Sequence, residues 1–225
     1  MALLRVKSGI PGLDAVMQGG FITNSVNLIS GGAGSGKTIF CAQYIWSGLE
    51  KGESGVFITL EEDPQDIRDD VEQFGWDFRQ YEKKGLFKLI YHDPAQISNI
   101  GPVIIDEIKT VKAKRLVIDS TTVMGLTIDN LSQIRKRLYA IINAIKRSSC
   151  TALITSEIPE HTRMLSRFGV EEYVSDSVIL LNYLSVGEAF NRTLLVRKMR
   201  RTNHGKDIYP FEISSKGITV RKGEL

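Results

Sequence analysis

The chain predicts an α/β domain in which a mostly parallel, twisted sheet is flanked by helices and followed by antiparallel C-terminal strands. Three observations predict it. Short, continuous apolar runs alternate with segments of helical periodicity between Ser25 and Thr155, the pattern of strands buried on both faces. One of those runs leads directly into a glycine-rich turn and then a helix. From Ser177 onward, strand-like segments follow one another with no helix between them.

The glycine-rich turn carries the most specific signal. Ser25-Val26-Asn27-Leu28-Ile29-Ser30 reads as a buried strand, and Gly31-Gly32-Ala33-Gly34-Ser35-Gly36-Lys37-Thr38 matches Gly-x-x-x-x-Gly-Lys-[Ser/Thr] without departure. The glycines let the backbone aim several N–H groups at phosphate oxygens. Lys37 is placed to neutralise the outer phosphates, and the Thr38 hydroxyl to ligate Mg²⁺. Ile39, the next expected nucleotide-binding residue, lies in the helix that follows, whose N-terminal dipole favours an anion. The expected ligands are ATP or ADP with Mg²⁺.

Further along, Gly55–Leu60 is a second apolar strand. Asp63-Pro64 then starts a helix, the aspartate as N-cap and the proline at the first helical position, with its end expected at Gly75. Phe87–Tyr91 reads as a strand, a helical stretch runs from about Ile104 to Val111, and Arg115–Ser120 is the next strand. A long helix follows, with Leu131, Ile134, Leu138, Ile141, Ile142 and Ile145 on one face and Arg135, Lys136, Arg137, Lys146 and Arg147 on the other. That basic face reads as solvated rather than as a nucleic-acid contact. Thr151–Thr155 supplies another core strand. Val178–Leu184, Leu194–Met199, Tyr209–Ile213 and Ile218–Arg221 are expected to be antiparallel.

Bulk properties bound the function. The 225 residues suit one packed domain spanning 1–225, and a net charge of +3 is too small to mark a dedicated nucleic-acid binder. Cys41 and Cys150 sit in apolar segments without metal-ligand spacing, and read as buried reduced thiols of a cytoplasmic protein. The first residues, Met1–Ser8, become charged too soon for a signal peptide, and no apolar run approaches the roughly 20 residues a membrane span needs.

Three groups of residues carry the expected chemistry beside the glycine loop. Asp119 ends an apolar strand, where an acid organises the Mg²⁺. Glu61 and Glu62 follow another strand, where ligands of parallel sheets gather, and a carboxylate there can activate the attacking water. Because neighbours on an extended strand point oppositely, one glutamate is expected to be catalytic and the other supporting. Lys198 and Arg200 lie on one face of a late strand; from the residues alone, a phosphate-contacting pair and a basic strand edge are equally good readings.

In combination these segments resemble the KaiC-like ATPases of the RecA superfamily. The resemblance rests on Arg5–Asp14 with Gly19-Gly20-Phe21, Thr59–Ile67, Phe74–Asp77, Gly169–Asp176, and Lys198-Met199-Arg200 with Thr202, His204 and Tyr209-Pro210-Phe211. It spans nearly the whole chain. It implies a RecA-like P-loop NTPase fold, ATP hydrolysis, and a homo-oligomeric, hexameric ring with nucleotide between subunits. It also implies that Lys198, Met199, Arg200, Thr202 and His204 reach a neighbour's nucleotide, with Glu61 as preferred base and Glu62 assisting. Val170-Glu171-Glu172-Tyr173-Val174 stands where the family's phosphorylated domain carries an adjacent Ser-Thr pair, so autokinase activity is not expected. The resemblance points to a regulatory or signalling protein acting on a protein client. Two other readings are a DNA-dependent recombinase or helicase motor and a nucleotide-sensing scaffold with negligible turnover.

Overall fold

The computed structural model describes residues 3–186 and 189–221; Met1 and Ala2 of the opening segment and residues 222–225 of the expected 1–225 domain lie outside it. The chain opens with a small two-stranded sheet, β1 (Arg5–Val6) and β2 (Phe21–Ile22), paired antiparallel around the short helix α1 (Leu13–Val16). β3 (Val26–Gly31) then enters the main sheet and α2 (Lys37–Leu49) returns over it. β4 (Gly55–Thr59), α3 (Pro64–Glu72), α4 (Phe78–Lys83), β5 (Phe87–Tyr91), α5 (Ile100–Val111) and β6 (Arg115–Asp119) follow. After these come α6 (Leu131–Arg147), β7 (Thr151–Glu157), α7 (Glu171–Val174), β8 (Ser177–Val186), β9 (Ala189–Met199), β10 (Ile208–Ser214) and β11 (Gly217–Val220).

The main sheet has nine strands in the order β11-β10-β9-β8-β3-β7-β6-β4-β5. Strands β8, β3, β7, β6, β4 and β5 are parallel, and β9, β10 and β11 continue the sheet antiparallel. This corrects one expectation. Ser177–Val186 does not belong only to the antiparallel extension, because it pairs parallel with β3, Asn27 facing Ser177 and Gly31 facing Leu181. Its sequence could not reveal this, since a strand buried on both faces reads alike in either direction.

Strand alternation divides the core. Ile29, Phe57, Val117, Leu153 and Ile179 face the layer that contains α2, with Phe40, Cys41, Tyr44 and Ile45. Leu28, Ile58, Ile118, Ile154 and Val178 face α5 and α6, meeting Ile104, Ile108, Ile134, Leu138 and Ile145. Each large aliphatic side chain buried this way contributes about 1.5–3 kcal/mol, so the sheet is fixed from both sides. Cys41 and Cys150 are buried free thiols. Leu131 departs from the expected buried face and is 54% exposed, because it opens α6 one turn before the helix meets the sheet.

The cap signals hold. Asp63 accepts the Gln65 N–H at 2.6 Å with Pro64 at the first position of α3; α6 has a cap the sequence reading did not name, Asn130, which accepts from Ser132 and Gln133. α3 ends at Glu72, before Gly75, which takes a left-handed φ of 78° in the turn beyond. Among the described residues no helix is long and apolar enough to cross a membrane.

Candidate functional site

The site forms at the carboxyl ends of β3, β4, β6 and β7, as parallel sheets dispose it. β3 ends at Gly31 and α2 begins at Lys37, so Gly32–Gly36 is the tight connection between them. Gly36 has φ 96°, and a Cβ there would press Ile213, so both backbone and packing require glycine. Lys37 folds back over the loop, its Nζ donating to the carbonyls of Gly31 at 3.1 Å and Gly32 at 3.0 Å. The Ser35 Oγ is buried with no hydrogen-bond partner, an unsatisfied polar atom inside the loop.

Next to the loop, Thr38 Oγ1 donates to Asp119 Oδ2 at 2.8 Å, and Thr155 Oγ1 donates to Asp119 Oδ1 at 2.5 Å. Burial pushes the Asp119 carboxyl above its ordinary value, while these two hydroxyls and the Lys37 charge pull it back. The hydroxyl of Thr38 and the carboxylate of Asp119 form an oxygen donor pair of the kind Mg²⁺ takes alongside phosphate oxygens and water. Among the described residues no three carboxylates, imidazoles or thiols converge as a ready-made metal cage. The donors present therefore fit a metal that arrives with a phosphate ligand.

Glu61 and Glu62 both line the cavity beside the loop, which has a volume of about 350 Å³ and is also walled by Thr38, Ile39, Asp119 and Glu157. The expectation that adjacent glutamates must diverge fails for a local reason. β4 stops at Thr59, and the Thr59 hydroxyl accepts the Glu62 N–H at 3.0 Å and donates to the Glu62 carbonyl at 2.8 Å. That side-chain turn bends the chain and brings both carboxylates to the cavity. Ser120 Oγ donates to Glu61 Oε2 at 3.0 Å and fixes its orientation. Burial raises the Glu61 carboxyl above the ordinary glutamate value against that hydrogen bond, with Glu157 and Asp119 adding repulsion. Glu62 is raised as well, by burial first and then by Asp119.

The late cations lie elsewhere in the same chain. β9 sets Lys198 opposite Val178, and β8 sets Val178 level with Leu28 of β3. Arg200 lies further back, its N–H donating to the Asp176 carbonyl while the Asp176 N–H donates to the Val26 carbonyl. Gly31 is five residue steps beyond Val26, so at about 3.3 Å per residue Arg200 is roughly 16 Å behind its own glycine loop. Lys198 Nζ donates to the carbonyls of Glu172 at 2.7 Å and Ser175 at 2.8 Å, and Arg200 donates to that of Tyr173 at 3.2 Å. Thr202 accepts from Arg5 at 3.0 Å, and His204 Nδ1 lies 2.7 Å from the Gly205 carbonyl. Alternation turns the Met199 side chain into the core, 6% exposed, which leaves its backbone for the expected nucleotide contact.

Glu157, Thr155, Thr59 and Ser120 escaped the sequence reading. The signal for Glu157 was present: β7 continues two residues past Thr155, and its last residue is an acid at the same sheet edge as Asp119.

The family model for the KaiC ATPase matches residues 6–224. The chain belongs to the KaiC ATPase family. Among curated relatives of this KaiC-like chain, a UPF0273 protein of Methanopyrus kandleri is 40% identical, covering 98% of this chain and 93% of that protein. The circadian clock protein KaiC3 of Synechocystis is 34% identical over 96% of this chain, which spans 45% of that protein. Among solved structures, a KaiC-like protein of the hyperthermophilic archaeon Pyrococcus horikoshii superposes with a TM-score of 0.90 at 40% identity, covering 98% of this chain and 100% of that one. The fold is that of a KaiC-like ATPase of the RecA superfamily.

Proposed function

We propose that this KaiC-like chain binds Mg²⁺-ATP in the Gly31–Thr38 loop and hydrolyses it, with each site completed by Lys198 and Arg200 of a neighbouring subunit in a hexameric ring. Lys37 leaves the loop carbonyls for the outer phosphates, and the loop N–H groups cradle them. Thr38 and Asp119 would hold the metal, which supplies charge neutralisation at the phosphate oxygens when bound. Glu61, oriented by Ser120 and with a raised pKa, takes the proton from the attacking water; Glu62 assists by holding that water in line.

The observation that carries the reading is the separation within one chain. The anion loop, the metal pair and the base share one cavity, whereas the cations suited to the terminal phosphate lie at the other end of the sheet. Each subunit then supplies them to the next, head to tail, until the ring closes. Such cations stabilise charge on the transferring phosphoryl group and are worth about 10³–10⁵ in rate.

The test is Mg²⁺-ATP hydrolysis per subunit across a wide dilution series, with Lys37→Ala as background and sizing at each concentration. Activity that falls together with the assembled fraction supports the shared site. A monomer that retains full activity overturns it, and turnover no higher than Lys37→Ala overturns hydrolysis itself.

A further inference from the structure

Glu171 is a carboxylate with 0% exposure, lying outside the nucleotide cavity, and the hydrolysis scheme leaves it without a role. Four donors surround it. Oε1 accepts from Ser156 Oγ at 3.0 Å and from the Phe168 N–H at 3.3 Å; Oε2 accepts from the Val170 N–H at 3.1 Å and lies 2.8 Å from Ser166 Oγ, whose single proton is shared with the Glu172 carboxylate. Ser156 belongs to β7 and directly precedes Glu157, which walls the nucleotide cavity. The same carboxylate therefore ties the end of β7, the loop after it, and α7 into one unit.

The other end of α7 holds the late cations. The carbonyls of Glu172, Tyr173 and Ser175 accept from Lys198 and Arg200, the favourable placement of cations at a helix C-terminus. One continuous set of hydrogen bonds thus runs from Glu157's strand, through Glu171 and α7, to the pair of cations at the opposite end of the sheet.

We propose that Glu171 is a positioning residue that couples a subunit's own nucleotide site to the Lys198–Arg200 pair it presents to the next subunit. The inference rests on the shared-site reading and adds a route by which one site senses its neighbour. Movement of Glu157 on phosphate binding or release displaces Ser156, and Glu171 carries that displacement to α7 and its cations.

Glu171→Gln isolates the idea. The amide keeps the volume, but whichever way it turns, its NH₂ faces a backbone donor, Phe168 N–H on one side or Val170 N–H on the other. Ser166→Ala is the milder companion, removing one donor if the glutamine variant does not fold. In the assembled full chain, the expected result is a kcat lowered roughly 10- to 100-fold by misplaced cations, with equilibrium affinity for a fluorescent ATP analogue within about twofold of the parent. The Hill coefficient for ATP is expected to fall toward unity.

Mixing variants separates the two readings. Glu171→Gln subunits and Arg200→Ala subunits are each mixed with Glu61→Gln/Glu62→Gln subunits, whose cations are intact, and co-assembly is verified by sizing. Recovery of hydrolysis in both mixtures is expected. Failure of the Arg200→Ala mixture alone to recover overturns the shared site. Recovery with Arg200→Ala, while Glu171→Gln or folded Ser166→Ala keeps the parent kcat and Hill coefficient, overturns the role of Glu171 only. A loss of analogue affinity matching the loss of kcat also overturns it, because the defect then lies in the subunit's own site.

Discussion

Thr38 and Asp119 are hydrogen-bonded across 2.8 Å, and Thr155 occupies the other oxygen of the same carboxylate at 2.5 Å. Both candidate metal donors are thus held by contacts among β6, β7 and the first turn of α2. Asp119→Asn preserves size but loses the charge. Its Mg²⁺ requirement for hydrolysis is expected to rise about 10- to 100-fold. Thr155→Val, which removes only the positioning hydroxyl, is expected to move it less and in the same direction. Titration of hydrolysis with Mg²⁺ at fixed ATP checks both.

The crowded carboxylates make a prediction about stability. Glu61 and Glu62 have folded pKa values above their ordinary ones, so the folded chain binds protons more tightly than the unfolded chain between the two values. Stability contributed by each group is then present below the unfolded pKa and lost as pH rises through the folded one. At neutral pH their charges are a cost of keeping the site. Glu62 is exposed, so solvent screening keeps the effect small: Glu62→Gln is expected to raise Tm only slightly at neutral pH in EDTA without nucleotide, and to lose that advantage at acid pH. Thermal unfolding of both chains across pH 4 to 8 decides it; a neutral-pH Tm below the parent overturns the assignment.

The same site shows what a sequence states and what it withholds. Gly31–Thr38, Asp119 and the capped start at Asp63-Pro64 were readable because each is a local rule: a spacing, a strand end, a cap. The joint approach of Glu61 and Glu62 was not, because it depends on where β4 stops and on the Thr59 hydroxyl turning the chain. Parallel pairing of Ser177–Val186 with β3 was hidden because apolar runs carry no direction. Glu171 was hidden for a different reason: nothing in Val170-Glu171-Glu172 distinguishes a fully buried glutamate from its partly buried neighbour until Ser156 and Ser166 are seen around it.

Arg115 is another such residue. Its side chain is 1% exposed and runs under α2, donating to the Tyr44 carbonyl at 2.6 Å and to Glu53 at 2.6 Å, with its guanidinium 4.5 Å from the centre of the Tyr44 ring. Removing Glu53 leaves a buried cation short of its counter-charge. Glu53 is 37% exposed and water screens part of the loss, so Glu53→Ala is expected to cost about 1–2 kcal/mol, and Arg115→Met, which removes the charge itself, less than that. Denaturant unfolding of the two variants gives the order.

Gly48 follows from the same arrangement. It lies within α2, where alanine ordinarily gains about 1 kcal/mol over glycine. Here a Cβ would meet the Arg115 Nε, Cδ and Cζ. Gly48→Ala is expected to destabilise by about 1–3 kcal/mol through overpacking, despite the helix propensity it gains. A stabilised Gly48→Ala chain in denaturant unfolding would show that Arg115 is free to move aside.

The pH dependence of hydrolysis brings the two ends of the sheet into one measurement. Glu61 must be ionised to take a proton from water, and burial raises its pKa, so the acid limb of kcat is expected to lie above the ordinary glutamate value. In the proposed reaction, Lys198 must be charged to stabilise the neighbouring subunit's terminal phosphate. Burial and then the nearby Arg200 charge lower its pKa, so activity is expected to decline on the alkaline side before ordinary lysines titrate. Lys198→Arg keeps a charge that does not titrate in this range and is expected to move the alkaline limb outward while leaving the acid limb in place. An alkaline limb unchanged in that variant, with assembly intact, would assign the limb to another group and remove Lys198 from the reacting site.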